Sequence, residues 1–346
     1  MPNKFKKISL IALSLFLILA FKAYGQIAPA TPADIADSAD ITTIPAFPSA
    51  HENVLVRIES FSFDLNSSEI IWALDGKIKS KGIGNKSFSF TTGKIGTVSL
   101  IKIIIKTKVG KSIEKTLIVR PAEVDIVWEA DSYVPPFYKG KALYSYQGVI
   151  SVIAIPDIIN SNGVKINPKD LTYKWTMDSK VLGDVSGYGK NKFSFSKSII
   201  SHSPEIEVEV MSSDKKIKAS GSITLEAIEP KTVIYENNPL YGIIYEKAIS
   251  DEFKLGGNEI TLITTPYFFS TEDIDGQKIK YDWSMNGRGI NNNPSERQKT
   301  FRNADGGKGS TRISVDLQND GQELQSARPD VLLNFEGGGG NKTVSF

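Results

Sequence analysis

The sequence contains no cysteine and only two histidines among 346 residues. Without cysteine there can be no disulfide, thiolate metal site, thiol nucleophile or lipoprotein anchor, so every domain must be held by packing alone. His51 and His202 lie 151 residues apart. No imidazole cluster for zinc and no serine triad is expected from them, and both read as loop residues. Net charge is also scarce, at +2, and falls to −2 if a leader carrying Lys4, Lys6, Lys7 and Lys22 is removed. A near-neutral surface of this kind gives no expectation of a nucleic acid or anionic lipid partner. After the first 25 residues no apolar run approaches the length that spans a bilayer.

The N-terminus has what the rest lacks. Three lysines precede an apolar run from Ile8 to Phe21, and Ala23-Tyr24-Gly25 then places small residues at the first and third positions of a cleavage site. This pattern predicts a signal peptide over residues 1–25, cut before Gln26, and an exported product that is extracellular, at the cell surface or periplasmic. Retention as an anchor is the alternative, which 14 apolar residues suit poorly because spanning takes ~20. Residues 26–49, rich in Ala, Pro, Asp and Thr, read as a flexible spacer.

Apolar residues make up 40% of the chain, with 17 Phe and 12 Tyr, enough for buried cores. Three of the four tryptophans recur in matching contexts 103 and 108 residues apart: Ile71-Trp72-Ala73-Leu74-Asp75-Gly76, Tyr173-Lys174-Trp175-Thr176-Met177-Asp178 and Tyr281-Asp282-Trp283-Ser284-Met285-Asn286-Gly287. Trp and the Leu or Met two residues later share a strand face, and the Asp or Asn that follows suits a hairpin turn with positive φ. Beyond each turn come glycines and then Phe88 and Phe90, Phe193 and Phe195, or Phe301, and about 30 residues past each Trp an alternating strand such as Ile206-Glu207-Val208-Glu209-Val210. Ile103, Ile104 and Ile105 break that alternation in the first copy, which predicts burial on both faces or a bulge. Upstream, Val127-Trp128-Glu129 matches Ile234-Tyr235-Glu236, whereas the first copy lacks the Pro-aromatic-Tyr segment that follows and should have a shorter or different N-terminal edge.

One Trp per ~100 residues predicts an all-β chain of three tandem immunoglobulin-like β-sandwiches, each Trp72, Trp175 and Trp283 filling the space between two sheets. The expected domains are 50–121, 122–229 and 230–346, because Arg120-Pro121 and Glu229-Pro230 close the first two. Joints this short predict a semi-rigid array.

The Tyr-x-Trp-x-Met-Asn-Gly arrangement at Trp283, with weaker relatives at Trp175 and Trp72, resembles the central-strand signature of PKD-type and related immunoglobulin-like modules of bacterial surface proteins. The resemblance covers about three hundred residues as a repeat pattern, and the overall layout resembles exported bacterial proteins. It implies tandem sandwiches at a cell surface and brings no activity with it.

Chemistry is hard to find. Glu205, Glu207 and Glu209 alternate with apolar residues and read as a solvated strand face rather than a glycosidase pair. Glu272-Asp273-Ile274-Asp275-Gly276 resembles the opening of a calcium loop but lacks the downstream ligands, so a plain acidic loop is expected. Gly82-Ile83-Gly84 and Gly187-Tyr188-Gly189 precede strands rather than helices and read as turns. No catalytic residue, metal or cofactor is expected. Phe137 and Tyr138, Tyr241, and Tyr267 stand beside prolines in exposed-looking segments or near a domain junction; they could form a platform for sugar or peptide contact or fill the seam between domains. Gly337 to Gly340 reads as a hairpin loop leading into a last strand. The expected function is that of a non-enzymatic extracellular or cell-envelope structural or interaction protein, an accessory of a surface or pilus-like assembly with envelope proteins as partners. A carbohydrate-binding adhesin is the alternative, and an enzyme ranks last.

Overall fold

The structure, a computed structural model, describes residues 39–196, 203–290, 293–304 and 306–335. The expected signal peptide, His202 and the glycine-rich C-terminal segment lie outside the described residues. The chain divides into two compact units. One holds the first sandwich, and the other holds the second and third together with the 47–53 and 91–98 loops.

Each sandwich is built on the same plan. In the first, the three-stranded sheet runs Ala39–Ile44, Asn53–Ser60, Ser87–Thr91, and the four-stranded sheet runs Lys77–Ile83, Glu69–Leu74, Ser99–Lys106, Ser112–Val119. In the second, Lys192–Ser196, Val149–Asp157 and Glu123–Asp131 form the smaller sheet, facing Lys180–Val181, Thr172–Met177, Glu205–Met211 and Lys218–Thr224. The third repeats both, with Lys231–Asn238, Glu259–Tyr267 and Gln298–Arg302 on one side and Ile279–Met285, Gly309–Asn319 and Asp330–Phe335 on the other. This is the layout of tandem immunoglobulin-like sandwiches. The third alone inserts Gly242–Ile249 at the edge of one sheet and Asp251–Leu255, parallel to Asp330–Phe335, at the edge of the other. Nothing in the repeat pattern signals that insertion.

The three tryptophans are fully buried on the central strands. Each indole N–H donates to a loop carbonyl at 2.9 Å, to Asn85, Lys190 and Glu296 in turn. Each ring also meets a phenylalanine of the opposite sheet: Phe88 at 5.7 Å, Phe193 at 4.9 Å and Phe301 at 6.0 Å. A Trp can be buried only if its one donor is satisfied, and the loop after the hairpin supplies that acceptor three times. The hairpins are of the type with positive φ at both central residues: Asp75-Gly76, Asp178-Ser179 and Asn286-Gly287. The first turn residue also accepts from the backbone N–H of Leu100, Glu205 or Arg312, so one carboxylate or amide oxygen fixes both the turn and the start of the neighbouring strand.

One expectation is corrected. Residues 39–44, assigned to the spacer, form an antiparallel edge strand paired from Ala39↔Ser60 to Ile44↔Leu55. Flanking Ala, Asp and Pro masked a short β-branched run, Ile41-Thr42-Thr43-Ile44. At six residues it is shorter than the nine-residue Glu123–Asp131 strand. In the isoleucine run, Ile103 and Ile105 enter the core, and Ile104 lies half-buried on the outer face opposite the buried Ile71, so the run is covered on both faces. The bulge of this sheet sits instead between Trp72 and Ala73 in the pairing with Lys77–Ile83.

Candidate functional site

The second unit joins its two sandwiches through the segment between the Glu123–Asp131 and Val149–Asp157 strands. Tyr133 and the 268–269 backbone exchange hydrogen bonds of 2.7 and 2.8 Å, and the Ser145 hydroxyl donates to the Phe268 carbonyl at 2.5 Å. Gln325, fully buried, sits at the centre of this joint. Its amide N–H group donates to the Tyr146 carbonyl at 3.0 Å and to the Ser145 hydroxyl at 3.2 Å, while its carbonyl accepts from the Ser270 N–H at 2.9 Å and from Asn319 at 3.0 Å. A buried amide with every partner present specifies one docking geometry.

The acidic stretch at 272–276 belongs to this joint. Thr271–Asp275 forms one helical turn capped by Ser270, and Asp273 turns inward to accept from Lys278 at 2.8 Å and from Asn319 at 2.9 Å. Burial pushes its carboxyl upward, and those hydrogen bonds outweigh it, holding the group below the ordinary carboxylate value. The carboxylate has an ammonium partner where the calcium-loop comparison would place a metal. Among the described residues, no group of three or more His, Asp or Glu side chains could hold a metal ion. His51 is an exposed turn residue with φ of 57°, and Glu205, Glu207 and Glu209 lie on the exposed face of their strand.

Next to the joint the aromatic residues gather. Pro135, Pro136, Phe137 and Tyr138 form a turn closed by the Tyr138 N–H and the Pro135 carbonyl at 3.2 Å, with Phe137 at φ of 69°. Pro at the second position and positive φ at the third define a type II turn, whose third position favours glycine or asparagine. Phenylalanine occupies it here, and its side chain is 90% exposed. Tyr138, partly exposed, packs edge-on against Tyr267 at 5.8 Å and Phe268 at 6.0 Å. Gly140 makes this possible, because a Cβ there would stand 2.5 Å from the Tyr138 hydroxyl. The Tyr267 hydroxyl bonds that of Tyr235 at 2.6 Å, and Tyr235 in turn packs edge-on against Tyr245 at 5.2 Å. Burial, then the bond to Tyr235, push the Tyr267 phenol well above its usual value, so its hydroxyl remains a protonated hydrogen-bonding group.

Phe137, Tyr138, Tyr245 and Tyr267 line a cleft of about 390 Å³, with Lys139 and Glu246 as its charged groups. The structure thus brings together three of the four aromatic residues singled out from sequence. Tyr241, largely exposed, sits instead at the tip of the hairpin that leads into the Gly242–Ile249 strand. Sequence reasoning misses Tyr245, since it belongs to the inserted strand. Trp128, the fourth tryptophan, carries the Lys141 ammonium 3.2 Å above its ring, and burial lowers that lysine's pKa.

No protein-family model and no curated protein matches the chain. Among solved structures, it is similar to three N-terminal domains of the highly immunogenic outer capsid protein of bacteriophage RB49, at 12% identity and a TM-score of 0.26 over 87% of this chain and 98% of that one. It is also similar to the central fibronectin-III array of RIM-binding protein, at 12% identity and a TM-score of 0.28 over 86% and 96% of the two chains. A Bacteroides ovatus protein, SGBP-B of a mixed-linkage glucan utilization locus, solved with a mixed-linkage heptasaccharide, follows at 11% identity and a TM-score of 0.21 over 86% and 71%.

Proposed function

We propose that this chain is an exported, non-enzymatic structural or interaction protein of the cell envelope or exterior, an accessory of a surface or pilus-like assembly, and that it meets its partner through the Phe137–Tyr138–Tyr267 cleft. The observation that carries the reading is Phe137. Its backbone conformation is one that an L-residue adopts at a cost of ~1–2 kcal/mol, and its ring rests almost entirely in water. Neither turn preference nor packing accounts for phenylalanine at this position. A partner that buries the ring accounts for both, since exposed aromatics on a rigid turn are what interface hot spots are made of. The surrounding rings are held by packing and by the Tyr235–Tyr267 hydroxyl bond, so the cleft is preorganised.

The test is quantitative affinity purification of the tagged protein from its own cells after gentle surface crosslinking, beside the Phe137→Gly variant. Envelope or assembly components enriched with the parent and lost with the variant support the proposal; identical recoveries contradict it.

A second reading is a glycan-binding adhesin. Tyr and Phe rings flanked by Lys139 and Glu246 offer a stacking face beside charged groups able to bond sugar hydroxyls. Glycan-array signal that disappears on changing Tyr138 would favour it, and an array without signal would remove it.

A further inference from the structure

The outer faces of the three larger sheets occupy equivalent positions and differ in chemistry. In the second sandwich this face presents Lys174 and Thr176 beside Glu207 and Glu209, and in the third Asp282 and Ser284 beside Ser314 and Asp316. The same positions in the first carry Ile71 and Ala73, both buried, beside the half-buried Ile104 and the exposed Lys102. Ile78 and Ile83, on the flanking strand, pair with Ala73 and Glu69 and are 66% and 75% exposed. Leu100 and Ile118 extend the aliphatic face on its other strands and are exposed as well. Lys81, Lys102 and Lys106 stand among these side chains, paired at 2.8 to 3.7 Å with Glu69 and Glu114 yet each about half exposed. At one end, the turn at 107–111 projects the exposed Val109 beside Lys108.

Charge divides the same way. Residues 39–121 hold 12 Lys and Arg against seven Asp and Glu, a net +5, whereas 122–229 hold 12 against 14 and 230–346 hold 13 against 16. The near-neutral total that argued against an anionic partner therefore averages a basic first domain with two acidic ones.

From this we infer a second contact surface, independent of the aromatic cleft: the outer face of the first sandwich's larger sheet docks on an anionic lipid surface. Aliphatic side chains interspersed with lysines match the boundary between acyl chains and anionic headgroups, where each lysine near the surface adds roughly a fivefold gain in binding. An acidic polymer would leave the isoleucines in water, and a second copy of the same face would bring two domains of +5 together. The domain so equipped is also the one that follows the apolar run Ile8–Phe21 in sequence.

The test uses the chain from Gln26 to Phe346, which keeps every described residue, in co-sedimentation with vesicles of phosphatidylcholine alone or mixed with phosphatidylglycerol, at low and high salt. Binding to the mixed vesicles only, weakened by salt, is expected, with a loss of about thirtyfold in the double variant Lys102→Gln, Lys106→Gln. Ile78→Ser with Ile83→Ser, at two largely exposed positions, provides a second variant, expected to weaken binding with an unchanged unfolding midpoint. Equal binding to both vesicle types, or binding that neither double variant alters, overturns the inference. So does a dimer seen by light scattering without lipid and dissolved by the same variants, which would assign the face to a second copy.

Discussion

Replacing Phe137 separates strain from packing. Phe137→Ala and Phe137→Gly remove the same ring, which stands almost wholly in solvent, so both variants give up the same small amount of packing. They differ in backbone. Alanine keeps the ~1–2 kcal/mol strain of φ near +69°, and glycine removes it while adding ~0.5–1 kcal/mol of unfolded-chain entropy. Phe137→Gly should therefore be the more stable variant by about 0.5–1 kcal/mol, the reverse of the order at an ordinary turn position. With a urea slope of roughly 2 kcal/mol/M, that is a midpoint difference of about 0.25–0.5 M, readable from the fluorescence of buried Trp175. Both variants should lose the partner recovered with the parent. An alanine variant as stable as the glycine variant would show that the turn is not strained, and partner recovery with either variant would show that the ring is not what the partner grips.

Other consequences follow from the same geometry. Trp283→Phe removes the donor to the Glu296 carbonyl and leaves a small cavity, and should destabilise the third sandwich by about 2–3 kcal/mol in urea unfolding. Ser179→Gly relieves a positive φ of 65° and should stabilise by about 0.5–1 kcal/mol, since the first and third copies already have glycine there. Gln325→Ala strands the Ser270 N–H and the Tyr146 carbonyl and should cost about 3 kcal/mol, with faster hydrogen exchange at Tyr133 and Phe268. Asp273 is held below the ordinary carboxylate value, so its contribution is present above about pH 4 and lost as pH falls through the lower folded value. Asp273→Asn should flatten that part of the acid limb of stability against pH.

What the sequence disclosed was whatever depended on local pattern. The tryptophans, the Phe that faces each of them and the turns led by Asp or Asn repeat because each is one part of the same bonded device, so the sandwich class was legible from spacing. The Ala39–Ile44 strand was hidden because its pairing partner lies about 15 residues away, where composition is no guide. The Gly242–Ile249 and Asp251–Leu255 insertion was hidden because nothing like it recurs in the other copies. At the aromatic site, Pro135-Pro136-Phe137-Tyr138 advertised itself, but the strained φ of Phe137, the packing of Tyr138 on Tyr267 and the arrival of Tyr245 are tertiary facts. Charge misled for a related reason, since a total taken over three domains conceals opposite signs within it.

The proposed role of Phe137 is tested most directly by placing a photo-crosslinking phenylalanine analogue at position 137 in the living cell, with a second copy of the experiment at Val181, an exposed position away from the cleft. Light-dependent adducts to one envelope or assembly protein are expected from position 137 and none from 181. Adducts of equal intensity from both positions, or none from 137 with the protein in place at the surface, would contradict that role.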